Sequence, residues 1–196
     1  MTPAASYPHE MPSSGASAAR AADLRACLPQ LETLRCILRA PLIEDFEAFR
    51  QIMMSERAQY MDGPFDRSGA WDEFTECVSG WLLRGYGAWA IEEKTNGAVI
   101  GFTLVHMEFG DREPELGWFL TAEAEGKGYA FEAAKAAKAY ALETLELPSL
   151  VSYIDPPNTR SIRLAEKLGA WHDAAASAEF EEPICVYRHA PLGGTA

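Results

Sequence analysis

The sequence predicts one α/β domain with strands running in both directions. Two observations carry this. Between residues 88 and 120, three apolar runs are separated by turn signals, the pattern of successive strands. Then "EGKGYAFEAAKAAKAYALETL" (125–145) joins a glycine loop to an alanine-rich helix, and the apolar run "SLVSYI" (149–154) follows. If strands 115–120 and 149–154 are neighbours, this strand–helix–strand order makes them a parallel pair joined by a right-handed crossover. The chain, at 196 residues, is long enough for one such domain with a real core.

The elements follow in order. Residues 1–28 are rich in Ala, Ser and Pro without a hydrophobic period, and read as a mobile or loosely docked arm. The domain proper then occupies 29–196. "LETLRCILRAP" (31–41) alternates at Leu34, Cys36 and Leu38, a strand stopped by Pro41. Phe46, Phe49, Ile52 and Met53 recur at helical spacing. "MDGPFDRS" is a loop by its Gly-Pro pair. A second helix runs from Ser68, read as its N-cap, to Arg84, with Trp71, Phe74, Val78, Trp81 and Leu82 on one face. "AWAIEE" and "VIGFTLVHMEF" are strands about the turn "KTNGA", and "GDREP" separates them from "ELGWFL" (115–120). The long helix ends before Pro148. Asn158 is suited to cap a shorter helix, "NTRSIRLAEKLGA", which Gly169 terminates. "WHDAAASAEFEEPICVYRHAP" reads as a last hairpin.

The totals exclude several classes. A formal net charge of -12 argues against a basic face for nucleic acid, yet leaves room for a small anion on a local donor cluster. Cys27, Cys36, Cys77 and Cys185 show no CxxC pair and read as free thiols in a reducing compartment, the cytoplasm. His9, His106, His172 and His189 lack metal-ligand spacing, so no metal is expected. No run of about 18 apolar residues predicts a membrane span. The N-terminus does not read as a secretory signal.

The glycine loop carries the chemistry. A helix start leaves N–H groups without intrahelical partners and adds partial positive charge, and flanking glycines let phosphate oxygens come close. Gly126 and Gly128 would serve, with donors from about Gly126 to Ala130. Ala130, Ala134, Ala137, Ala141 and Leu145 give the helix a face that packs close to a sheet. A plain strand-to-helix turn remains the alternative, since neither a Walker loop nor a GxGxxG fingerprint is present. Ser161 falls near the third position of the helix capped by Asn158. In a parallel crossover both helix starts lie at one end of the sheet, so one can hold a diphosphate and the other can face the reactive end of an extended ligand.

"ELGWFLTAEAEGKGYAFEAAKA" with "SYIDPPNTRSIRLAEKLGA" resembles the GNAT acyltransferase superfamily, specifically RimJ/RimL-type N-acetyltransferases, over about residues 31–190. The resemblance implies a mixed, mostly antiparallel twisted sheet with a splayed parallel strand pair and flanking helices. It implies acetyl-coenzyme A as cosubstrate and an amine acceptor, with association as a homodimer left open. The family loop [QR]-x-x-G-x-[GA] falls on Glu125, Gly126, Lys127, Gly128, Tyr129 and Ala130; Glu125 departs from it and would set a carboxylate near phosphates. Trp118, Phe119 and Leu120 match the strand that pairs with pantetheine, with the Phe119 or Leu120 N–H facing the developing oxyanion. Asn158 matches the asparagine that bonds the pantetheine arm. Ser161 matches the serine proposed to protonate the leaving thiolate; Ala165 stands where many relatives place a tyrosine.

Among Glu108, Asp111, Glu113 and Glu115, Glu115 lies at the start of the cofactor strand and is the candidate base, with Tyr153 across the splay as a hydrogen-bonding group. Tyr60, Met61, Phe65, Trp71 and Trp89 are candidates for the acceptor pocket. The other reading is a non-catalytic coenzyme A-binding sensor or interaction module on the same fold.

Overall fold

The computed structural model describes residues 7–189. Its sheet has eight strands in the order β1-β2-β3-β4-β5-β6-β8-β7. These are β1 (Leu31–Glu32), β2 (Cys36–Arg39), β3 (Ala88–Glu93), β4 (Val99–His106), β5 (Glu115–Leu120), β6 (Val151–Ile154), β7 (Trp171–His172) and β8 (Cys185–Arg188). Every neighbouring pair is antiparallel except β5 with β6. Helices α2 (Phe46–Met53) and α3 (Arg67–Leu83) cover one face. Helix α4 (Tyr129–Ala139), widened into a π turn over Tyr140–Thr144, covers the other.

Strand alternation divides the core. In β3, Ala88 and Ala90 meet Phe46, Phe49, Phe74, Phe102 and Leu104, while Trp89 and Ile91 meet Trp81, Val105, Leu116 and the alanines of α4. Ala133, Ala134, Ala137 and Ala141 are fully buried, so the small face of α4 brings its backbone close to the sheet. Helix α5 (Thr159–Lys167) begins at Asn158, whose side-chain oxygen accepts from Ser161 N at 3.2 Å. Gly169 follows it with φ +83°, the left-handed stop its position requires.

Several expectations change. Residues 31–41 are not one strand. β1 and β2 fold back on each other, pairing Leu31 with Leu38, and Leu34 lies at the turn, 88% exposed. Helix α3 is capped two residues early, by Asp66, whose carboxylate accepts from Gly69 N at 2.8 Å; a carboxylate oxygen reaches the first-turn amides there and Ser68 is already inside the helix. Leu82 points to solvent. The final hairpin is interrupted by α6 (Ala174–Ser177), and β8 lies between β6 and β7. In the segment read as an arm, residues 1–6 lie outside the described residues, as do 190–196 of the domain. Gly15–Ala26 forms α1, which buries none of its residues. Glu10 pairs with Arg67 at 2.5 Å, and the His9 ring meets Trp71 edge-on. Among the described residues no helix is long and apolar enough to cross a membrane.

Candidate active site

The parallel pair opens almost as soon as it forms. Glu115 stands opposite Val151, and Val151 N donates to Pro114 O at 3.0 Å. Beyond this step the backbone partners are replaced by side chains. Ser152 Oγ donates to Leu116 O at 2.6 Å, and Tyr153 N donates to Glu115 Oε1 at 3.3 Å. His189 backs the wedge, its Nε2 3.1 Å from Ser152 Oγ. With the serine proton directed at Leu116 O, Nε2–H is the donor of that contact. Burial drives the His189 pKa down to about 3, so the ring is neutral.

The opening continues into a cleft of about 1000 Å³. One wall is β5 from Glu115 to Leu120; the other is Ser152 to Asp155, Asn158 and Ser161. At one end lie Gly126, Gly128 and Ala130. Gly128 takes φ +83° as the N-cap of α4, and Gly126 takes φ +71°, so both need the left-handed region rather than merely a small side chain. A Cβ at Gly126 would meet nothing within 4 Å, and at Gly128 only Arg35 at 3.6 Å. Open space therefore fronts the helix start where first-turn N–H groups lack partners, which fits a phosphate-bearing ligand.

The predicted cofactor residues divide. Trp118, Phe119, Leu120, Gly126, Gly128, Ala130 and Asn158 all line the cleft. Lys127 faces a separate concavity beside Glu44 and Glu93, and its carbonyl accepts from Arg35 Nη1 at 3.0 Å. The Tyr129 side chain is turned inward: its hydroxyl donates to Glu93, and the Arg35 guanidinium lies 4.2 Å from its ring centroid. For these two only the main chain is at the loop. Glu125 is bracketed by Arg57 and by Arg160 Nη1 at 2.8 Å, so its carboxylate does not stand bare among phosphates.

At the other end the cleft is acidic. Asp62, Glu73, Glu108, Asp111, Glu115, Asp155 and Glu182 all line it. Burial, reinforced by Asp111 and Glu108, raises Glu115 to about 8. Partial desolvation at the cleft wall, with Asp111 and Glu73 adding repulsion, raises Glu108 to about 7 although its side chain is 46% exposed. Glu113 behaves otherwise. It forms a salt bridge with Arg188 at 2.6 Å, which holds its pKa below the usual carboxylate range, and it is not part of the cleft lining.

Of the acceptor candidates, Tyr60 and Met61 line this end. Phe65, Trp71 and Trp89 do not. Trp89 is wholly buried, donates from Nε1 to Pro29 O at 2.9 Å and packs edge-on against Trp81. Trp71 packs against Phe46, and Phe65 against the same core cluster. Burial of their apolar area against the helices accounts for all three. Sequence reasoning missed Arg57, Arg160, Ser152 and His189. Arg160 sits between the recognised Asn158 and Ser161 and was within reach; the others belong to no local pattern.

A strand pair spread by side chains, with a glycine-started helix at one end, leaves a cleft whose shape and donors fit an extended phosphate-bearing ligand. Residues 35–170 match the acetyltransferase (GNAT) domain. The chain belongs to the GNAT acetyltransferase family. It is 33% identical to the Bacillus subtilis (strain 168) protein YkkB over 108 residues, 53% of this chain and 62% of that one. The match thus spans about three fifths of that relative. Among solved structures, an acetyltransferase from Agrobacterium tumefaciens aligns with TM-score 0.78 and 38% identity, covering 83% of this chain and 95% of the other. RimL, a ribosomal alpha-N-protein acetyltransferase solved in complex with coenzyme A, aligns with TM-score 0.65 at 15% identity over 82% of this chain and 97% of that one, a likeness of fold.

Proposed function

We propose that the protein is an acetyl-coenzyme A-dependent N-acetyltransferase that moves the acetyl group to a primary amine by direct attack in a ternary complex. The observation that carries this is the polarity of one continuous cleft: a phosphate-compatible helix start at one end, a cluster of carboxylates with raised pKa values at Glu115 and Glu108 at the other, and the splayed strands between. The coenzyme A bound to the RimL structure supports the choice of donor by analogy of fold.

Acetyl-coenzyme A supplies an acetyl thioester, and the chain's residues do the rest. The backbone amides from Gly126 to Ala130 bind the diphosphate, and the exposed edges of β5 and Asn158 orient the pantetheine arm. As the amine nitrogen bonds to the carbonyl carbon, the carbon–sulfur bond breaks and the amine's proton must leave. Glu115, as carboxylate, accepts that proton directly or through water, and a pKa of about 8 matches a base working near neutral pH. Ser161, in the first turn of α5, donates to the departing sulfur, aided by the helix start. The carboxylates beyond Glu115 favour a cationic acceptor.

Ala165, fully buried where relatives place a tyrosine, favours the second reading, a binding module without turnover. One measurement separates them. Free thiol released from acetyl-coenzyme A is followed against a panel of polyamines, amino acids and peptides with free N-termini, alongside coenzyme A binding by calorimetry. Turnover with at least one amine is expected. Binding with no amine-dependent thiol release from any class would favour the sensor, and no binding would end both readings.

A further inference from the structure

Glu125 occupies the loop position where the family expects Gln or Arg, and the structure shows what stands in for that side chain. Both carboxylate oxygens are engaged by guanidinium groups, Oε1 by Arg57 Nη2 and Oε2 by Arg160 Nη1 at 2.8 Å. The arginines come from unrelated elements. Arg57 lies in the one-turn 3-10 helix Glu56–Ala58 that follows α2, and its Nε also donates to Leu120 O at 3.3 Å, at the end of β5. Arg160 is on the first turn of α5. All three residues line the same cleft as Gly126 and Gly128. The sheet end, the second helix and the early helices therefore converge on the mouth of the glycine loop.

Charge decides what this cluster is for. One carboxylate offsets one of two guanidinium groups, so the corner keeps a net positive charge. A guanidinium carries five N–H donors in a planar fork, and Glu125 and Leu120 O engage few of the ten. Apart from Lys167, the cleft's cations are these two, and its opposite end is lined by carboxylates. The cleft's two arginines thus stand where the helix starts already favour an anion.

Resting on the coenzyme A reading above, we propose that Arg57 and Arg160, held in place by Glu125, bind the coenzyme's diphosphate from outside the glycine loop. They take the place of the side chain that the loop itself lacks. Glu125 is a positioning residue: it holds the two forks apart and pointed at the loop, so that a diphosphate meets ordered donors.

The test is calorimetric titration of the full chain and of Arg160→Gln, Arg57→Gln and the double variant. The ligands are coenzyme A, 3′-dephospho-coenzyme A and pantetheine, each at low and high salt. Each single change should weaken coenzyme A and its dephospho form by roughly three- to tenfold, as for a lost charge-assisted contact at a solvent-facing site. The double change should weaken both by more than either alone and flatten the salt dependence. Pantetheine, without phosphate, should bind all variants alike. Arg160 is 70% exposed, so Arg160→Gln should keep the fold and decides the matter even if Arg57→Gln does not. If the parent binds coenzyme A and Arg160→Gln binds it equally well, the proposal falls while the cofactor assignment stands. If the loss vanishes with the dephospho form, the arginines hold the 3′-phosphate and the diphosphate assignment is overturned. If the parent binds neither coenzyme, the cofactor reading itself fails.

Discussion

Replacing Glu115 with glutamine should stabilise the protein at mildly alkaline pH and leave it unchanged in acid. The ordinary glutamate pKa is 4.5, and burial with neighbouring Asp111 and Glu108 raises Glu115 to about 8. Below pH 4.5 the acid is protonated in both the folded and the unfolded chain, and contributes no difference. Above that, the unfolded chain releases the proton while the folded chain keeps it, so stability falls as pH rises, until about pH 8. A gap of about three and a half pH units at ~1.36 kcal/mol each sets an upper bound near ~5 kcal/mol. Glu115 is only half-buried and borders the open cleft, so solvent screening lowers the effective penalty to about 1–2 kcal/mol. Glutamine keeps an oxygen for the Tyr153 N–H and never ionises. For a domain of this size the gain corresponds to roughly 2–8 °C in Tm at about pH 8, shrinking to nothing near pH 4. Scanning calorimetry of parent and variant across that range reads it directly. Equal melting temperatures at alkaline pH would show that Glu115 ionises as an ordinary surface carboxylate, and its assignment as a base tuned near neutrality would lose its physical ground. The same variant should lower kcat and remove the rising limb of the pH–rate profile near pH 8.

Other variants test the remaining parts. Gly128→Val forces a β-branched residue to φ +83° at the loop, and calorimetry should show coenzyme A binding at least about tenfold weaker; unchanged affinity in a folded variant would remove the loop from the site. Ser161→Ala should cut kcat by roughly tenfold to a hundredfold with coenzyme A affinity intact, less than for a central oxyanion donor because thiolates leave well and the helix amides remain. Full kcat in that variant would send the proton elsewhere. Asn158→Ala removes the acceptor of the Ser161 N–H, so it should lower Tm, by about 1 kcal/mol of stability, and coenzyme A affinity together; a fall in one without the other would separate the cap from the contact.

The parts of this fold legible in the sequence were those with a local cause. The strands β3 to β5 announced themselves by apolar runs between turn residues, and α4 and α5 by their glycine and asparagine starts. Leu34 misled because alternation continues through a turn as readily as along a strand; only the pairing of Leu31 with Leu38 shows the reversal. Trp89 misled because β3 is buried on both faces, so nothing in "AWAIEE" marks which face meets a ligand and which meets α3 and α4. The glycine loop was legible because positive φ is demanded by a few adjacent residues. The bracket around Glu125 was not, since Arg57 and Arg160 stand 68 and 35 residues from it and meet it only after the sheet has formed. The separation of Arg57 from Leu120 O, 63 residues, is of the same kind.

Among the described residues, the strand that completes the splay comes last. β8 inserts between β6 and β7, and His189, which follows it, braces the serine that parts β5 from β6; His189 N also donates to Leu150 O at 2.9 Å. During synthesis the glycine loop, α4 and α5 all emerge earlier. A nascent chain ending before Cys185 would present β6 as an unpaired edge, with no brace behind Ser152. Ligand affinity should therefore arrive late and at once, when the C-terminal strand docks. On the proposed reading, coenzyme A affinity would then report the docking of β8 rather than the folding of the glycine loop, α4 or α5.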